Sequence, residues 1–144
     1  MRVFGAWQFW ALLSAVFAAL TAIFAKVGIE KVNSDFATLL RTVVILCVLG
    51  GIVAATGQWQ SPNTLSRRTV VFLFLSGLAT GASWVCYFRA LKIGEASRVA
   101  PIDKLSVVLV AIFGVLFLGE RLSFLNSVGV GLIALGAVLV ALGA

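Results

Sequence analysis

The chain has 144 residues, of which 62% are hydrophobic and only 11% charged, and its mean hydropathy is +1.15. Soluble domains carry roughly 25% charged residues, so this composition cannot cover a water-soluble fold, and part of the solvent must be lipid. The net charge of +6 comes from basic residues scattered singly between apolar runs, which suits anchoring at membrane interfaces and excludes a nucleic-acid surface. With no histidine and two cysteines, no metal site or cofactor is expected. Cys47 and Cys86 fall inside apolar runs and read as small buried hydrophobes.

Five apolar segments follow one another, each about as long as the roughly 20 residues needed to cross a hydrocarbon core. They run over 7–25, 36–56, 70–90, 99–118 and 124–143. Helix is the conformation expected of each, because an open strand in lipid leaves its backbone groups unpaired. The first segment also has the look of a signal peptide. Its length, Trp7 and Trp10 at its start, and the four segments behind it favour a retained membrane helix instead. Asn33, Ser34 and Asp35 form a cap cluster ahead of the second segment. Within that segment Cys47, Gly50, Gly51, Ala54 and Ala55 suggest a tight helix contact. Gly119 stands where a helix-ending glycine belongs, with Glu120 and Arg121 forming a polar corner. The short connections leave no linker, so residues 1–144 read as a single transmembrane domain.

The third segment carries a stripe. Ser76, Thr80, Ser83 and Tyr87 fall within about 60° of arc at 100° per residue, and Trp84 lies at its edge. Such a stripe either lines a watery cavity or hydrogen-bonds to a neighbouring helix. Trp84 and Tyr87 add stacking surface, which favours the cavity. Gly77 and Gly81 beside it serve packing. The fifth segment lacks charge beyond Val128, and Gly129, Gly136 and Gly143 recur every seven residues. Small residues at that spacing let helix backbones approach closely, so this face is a candidate dimer contact.

Several charges lie at or near membrane depth. Arg41 and Arg89 have a plain reading as side chains that snorkel to the headgroups. Asp103 is too short to do so. With Pro101 it is expected in the first turn of the fourth helix, where the positive end of the helix dipole favours an anion. Lys104 then sits at an unfavourable helix end and needs a partner: Asp103, Glu95, headgroups or an anionic ligand. That misfit makes Lys104 the leading functional candidate, and Arg41, Asp103 and Lys104 together are the candidate charge and gating residues.

The pieces "WVCYFRA" (84–90), "VAPIDKLS" (99–106) and "LGERLS" (118–123) resemble the EamA family of the drug/metabolite transporter superfamily. The likeness extends over essentially the whole chain and is nearest the members built from a single five-helix repeat. It implies an all-α membrane fold that forms one half of an inverted-repeat transporter. It also implies a secondary transporter, not an enzyme, that moves a small metabolite across the bacterial inner membrane without ATP hydrolysis. A related alternative is a small multidrug exporter of organic cations, which relies on a carboxylate in its first helix. The segment 7–25 holds none. A non-transporting scaffold or accessory subunit is the alternative from another class.

Five crossings put the termini on opposite sides, so a single-repeat chain reproduces the inverted arrangement only by pairing with an oppositely inserted copy. Arg2, Arg67, Arg68 and Arg121 lie on one side, and Lys26, Lys31, Lys92 and Arg98 on the other. This near balance is what dual insertion requires. Arg41, Arg89 and Lys104 would add to the second side. The expected partners are therefore the lipid bilayer, a small-molecule substrate and a second copy of the chain, in an antiparallel homodimer.

Overall fold

The computed structural model describes residues 6–143. Among them every regular element is helical: α1 (Ala6–Gly28), α2 (Ser34–Thr56), a 3₁₀ turn (Pro62–Thr64), α3 (Arg67–Ile93), α4 (Ala96–Asp103), α5 (Ser106–Leu118) and α6 (Phe124–Leu142). By length and hydropathy they supply five spans: Trp7–Gly28, Ser34–Thr56, Arg67–Ile93, Ala96–Leu118 and Phe124–Leu142. All five expected segments appear, and α1, α2 and α3 run beyond the apolar stretches into their polar flanks. Arg2 lies outside the described residues.

Local chemistry explains the helix ends. The Asn33 side chain accepts the N–H groups of Asp35 (2.9 Å) and Phe36 (3.2 Å), satisfying two donors that no helical carbonyl can reach. At the far end of α2, Gly57 takes φ +65° and sends its N–H to Ala54 O, while Gln58 N–H bonds Val53 O. That paired arrangement needs a left-handed residue, and glycine adopts it without Cβ strain. Ser123 caps α6 by accepting the N–H of Asn126 at 3.2 Å. Gly119 closes α5 with φ +68°.

The chain forms two compact units. One is Phe24–Lys92; the other comprises the described residues of Met1–Ile23 and Ile93–Ala144. Within Phe24–Lys92, two lysines cross to cap opposite backbones. Lys92 Nζ donates to the carbonyls of Ile29 (2.5 Å), Glu30 (2.9 Å) and Val32 (2.9 Å), just past the end of α1. Lys26 Nζ donates to Leu91 O at 2.7 Å, near the end of α3. Both cations therefore meet carbonyl-rich helix ends, where the dipole favours positive charge. Ile29, Thr38, Phe88 and Leu91 are buried in this unit.

In the other unit α6 packs against both α4 and α5. The expected helix start at Pro101 is not found. The helix begins at Ala96 behind Glu95, and Pro101 lies inside α4. A proline there lacks the N–H for the preceding turn and crowds the carbonyl four residues back, so the helix cannot continue regularly. Beyond it the chain tightens: Lys104 N–H is shared between Ala100 O (3.3 Å) and Pro101 O (3.1 Å), Leu105 bonds Ile102 (3.0 Å), Val107 bonds Lys104 (3.0 Å) and Val108 bonds Leu105 (3.0 Å). These i→i+3 bonds tighten the turn at 104–105 that separates α4 from α5, about 12 Å from the start of the fourth span at 1.5 Å per residue.

Almost none of this apolar surface is covered by the chain itself. The large apolar side chains of the five spans are mostly exposed, and on α3 only Phe88 and Leu91 are buried. Cys47 and Cys86 are correspondingly exposed free thiols rather than buried ones. A Cβ added at Gly50, Gly51, Gly77, Gly81, Gly129 or Gly136 meets nothing within 4 Å. The tight contact expected around Gly50 and Gly51 is thus not made within the chain, since these faces point outward to what a membrane or another helix would occupy.

Candidate functional site

The end of α2 that follows Asn33 and the last turns of α3 up to Lys92 come together in the unit Phe24–Lys92. Asp35 and Arg89 form a bidentate pair there: Arg89 Nε donates to Asp35 Oδ1 at 3.0 Å and Nη2 to Oδ2 at 2.6 Å. This fork-on-fork geometry locks the lateral register of the two helices. The expectation that Arg89 snorkels to headgroups is therefore replaced by an ion pair that links residues 54 positions apart.

Deeper on the same two helices, the Arg41 guanidinium carbon lies 3.4 Å from the centroid of the Trp84 ring and 5.7 Å from that of Phe88. Trp84 meets Tyr87 and Phe88 edge-to-face, with centroids 5.6 Å and 5.8 Å apart. Relative to the Asp35–Arg89 pair, Arg41 is six residues inward on α2 and Trp84 five residues inward on α3. At 1.5 Å per residue both are about 8–9 Å deeper. Arg41 thus lies across the helices at its own level, against an aromatic face that attracts cations. It is half-buried, as are Trp84 and Tyr87.

Ser76, Thr80 and Ser83 continue along α3 and are exposed. Thr80 Oγ1 donates to Ser76 O at 2.8 Å, one turn back on its own helix. The structure therefore gathers Arg41, Trp84 and Tyr87 and leaves the three hydroxyl residues strung along the open helix face. Asp103 and Lys104 belong to the other unit. There Lys104 Nζ is 3.3 Å from Asp103 Oδ2, and Glu95 pairs with Arg98 at 3.6 Å. Lys104 is the C-cap of α4, not a first-turn residue. Leu105 behind it is the N-cap of α5, so the cation stands between the end of one helix and the start of the next, where the two dipoles oppose and neither end alone decides whether it is favoured. Gly129 is half-buried and Gly136 and Gly143 are exposed.

Asp35, Phe88 and Lys92 are the participants that the sequence reading did not select. Asp35 was absorbed into the helix cap. Its second role was signalled only by an acid at the start of one span level with a base at the end of the next. Among the described residues no group of three or more His, Cys, Asp or Glu side chains gathers as a metal site would require.

Five spans, no strands among the described residues and a charged aromatic cluster near one end of two of them define a multi-pass α-helical membrane protein. The chain belongs to the EamA-like transporter family, whose model matches residues 5–142. It is 72% identical over 135 residues to an uncharacterized transporter in the cobO 3′ region of a Sinorhizobium species, covering 94% of this chain and 96% of that one. It is also 26% identical over 133 residues to an uncharacterized protein of Methanocaldococcus jannaschii, covering 91% of this chain and 93% of the relative. No solved structure matches the chain. Family and relative together mark a membrane transporter rather than an enzyme.

Proposed function

We propose that the protein is a secondary transporter of a small metabolite in the bacterial inner membrane, working by alternating access as an antiparallel homodimer of one-domain chains. The observation that carries this reading is the face of α3. Ser76, Thr80 and Ser83 lie exposed at membrane depth, on a helix that buries only Phe88 and Leu91 against its own chain. Thr80 satisfies its own hydroxyl on Ser76 O, but the Ser76 and Ser83 hydroxyls have no partner among the described residues. Unpaired hydroxyls turned to lipid are unfavourable, so a water-filled pathway shared with a second copy is the natural place for them. Trp84 and Tyr87 then supply stacking surface, and Arg41 supplies charge. The open faces of Gly129 and Gly136 offer room for a close helix contact between copies. The turn at 104–105 gives the fourth span a discontinuity of the kind that transporters use as a moving part. In that role Lys104 exchanges its Asp103 partner as the pathway opens. No acidic residue lies in α1, which disfavours proton exchange through a first-helix carboxylate.

Reconstitution tests the reading. Proteoliposomes should show solute flux above empty vesicles, and Lys104→Ala should lower it several-fold while expression and oligomer size stay intact. Single cysteines at Gln60 and Ile93, in a background lacking Cys47 and Cys86, should each be labelled in part from both sides of the membrane. Absent flux overturns transport; labelling of each site from one side only overturns the antiparallel dimer.

A further inference from the structure

The Arg41 guanidinium uses only its face. Its carbon lies 3.4 Å from the Trp84 centroid, a separation that only a face-on stack allows, and in such a stack the in-plane N–H donors lie off the ring. Among the described residues no carboxylate pairs with it, because Asp35 spends both oxygens on Arg89. The lysines of this unit that lie nearest in sequence to the α2–α3 ends are likewise committed, Lys92 to three carbonyls and Lys26 to Leu91 O. One cation therefore stands at membrane depth, pre-oriented and without a counter-ion. Such a charge is costly there unless something anionic completes it.

We propose that Arg41 is the recognition residue of the pathway and that the transported solute carries a carboxylate, taken bidentately on the free edge of the guanidinium. This rests on the transporter reading above. A planar fork matches a carboxylate in shape, and a single unpaired positive charge matches one negative charge, whereas a phosphate dianion calls for two. Trp84 holds the guanidinium flat and fixes the direction of its donors. The aromatic edges of Tyr87 and Trp84 beside it suit an apolar body on the same solute. A lipid phosphate offers similar oxyanion chemistry, but the stack lies about 8–9 Å inward of the Asp35–Arg89 pair, which disfavours a headgroup.

Thermal unfolding of the purified full-length protein in an uncharged detergent tests this, with phenylacetate, 4-methylpentanoate and L-leucine set against their primary amides. Inorganic phosphate and phosphatidylglycerol micelles are the further probes. At least one acid should raise the melting temperature where its amide does not. Arg41→Gln should weaken that acid's apparent affinity by about tenfold or more, the scale of a lost charge-assisted pair. Arg41→Lys keeps the charge but not the stacked fork, so it should fold normally and retain only part of the effect. The proposal is overturned if no acid outperforms its amide, if phosphate or phosphatidylglycerol protects where the acids do not, or if both Arg41 variants bind as the wild type. Flux separates this proposal from the one it rests on. Acid-selective, Arg41-dependent binding without flux removes transport and leaves the recognition site. Flux that is indifferent to Arg41→Gln removes the recognition site and leaves transport.

Discussion

Replacing Lys92 with methionine removes one ammonium and keeps most of the stem. The Nζ group donates to three carbonyls in the connection between α1 and α2, at 2.5, 2.9 and 2.9 Å. The three losses are unequal. Glu30 and Val32 are exposed, so water replaces the lysine at their carbonyls for little cost. Ile29 is 1% exposed and keeps only a long bond from Val32 N–H at 3.3 Å. Leaving that carbonyl under-satisfied costs about 1–3 kcal/mol, and loss of a cation at the end of α1 adds about 0.5 kcal/mol. A total near 2–3 kcal/mol corresponds to about 5–10 °C in melting temperature for a chain of this size. Fluorescence-monitored unfolding in detergent reads it, with limited proteolysis of the 29–33 turn as a local probe. Lys31→Met, on the same turn, is the matched control and should shift melting by less than about 2 °C. If Lys92→Met melts with the control, the lysine is only a surface charge and the capping argument fails.

Two further predictions concern glycines and the aromatic stack. Gly119→Ala should destabilise by about 1–2 kcal/mol because φ is +68°, a left-handed conformation that penalises a Cβ. Gly114→Ala should fall within about 1 kcal/mol of wild type although Gly114 is the buried residue of α5. The group its Cβ meets at 2.6 Å is the Glu120 carboxylate, the far end of a flexible side chain, and alanine regains about 1 kcal/mol of helix propensity. Unfolding curves that rank these two in the opposite order would refute both arguments. Trp84→Ala should lower flux more than it lowers melting temperature, since it removes the surface that orients Arg41. A variant that melts early yet transports normally per folded molecule would make Trp84 a packing residue.

What the sequence determined by itself is what a few neighbouring residues decide. Five apolar runs of membrane length become helices because lipid leaves the backbone no other partner. Asn33 caps α2 and Gly119 ends α5 because cap chemistry is settled within about four residues. The stripe of Ser76, Thr80, Ser83 and Tyr87 was legible from helical periodicity, and so was the proximity of Trp84 to Tyr87. Where several local readings compete, the sequence misleads. Pro101 fits a first helical turn as well as a helix interior, and the choice depended on a start at Ala96 that no strong cap residue announced. With that choice Lys104 falls between the end of α4 and the start of α5, where opposed dipoles offset the argument made for it. Only the tertiary structure decided the partners: Asp35 with Arg89 across 54 positions, Lys92 with carbonyls 60 to 63 positions away, and Arg41 with Trp84. Each of these side chains has a plausible local role as a cap or as a snorkelling cation. Which role it takes depends on which helix faces it and at what depth, and helix periodicity within one segment carries neither quantity.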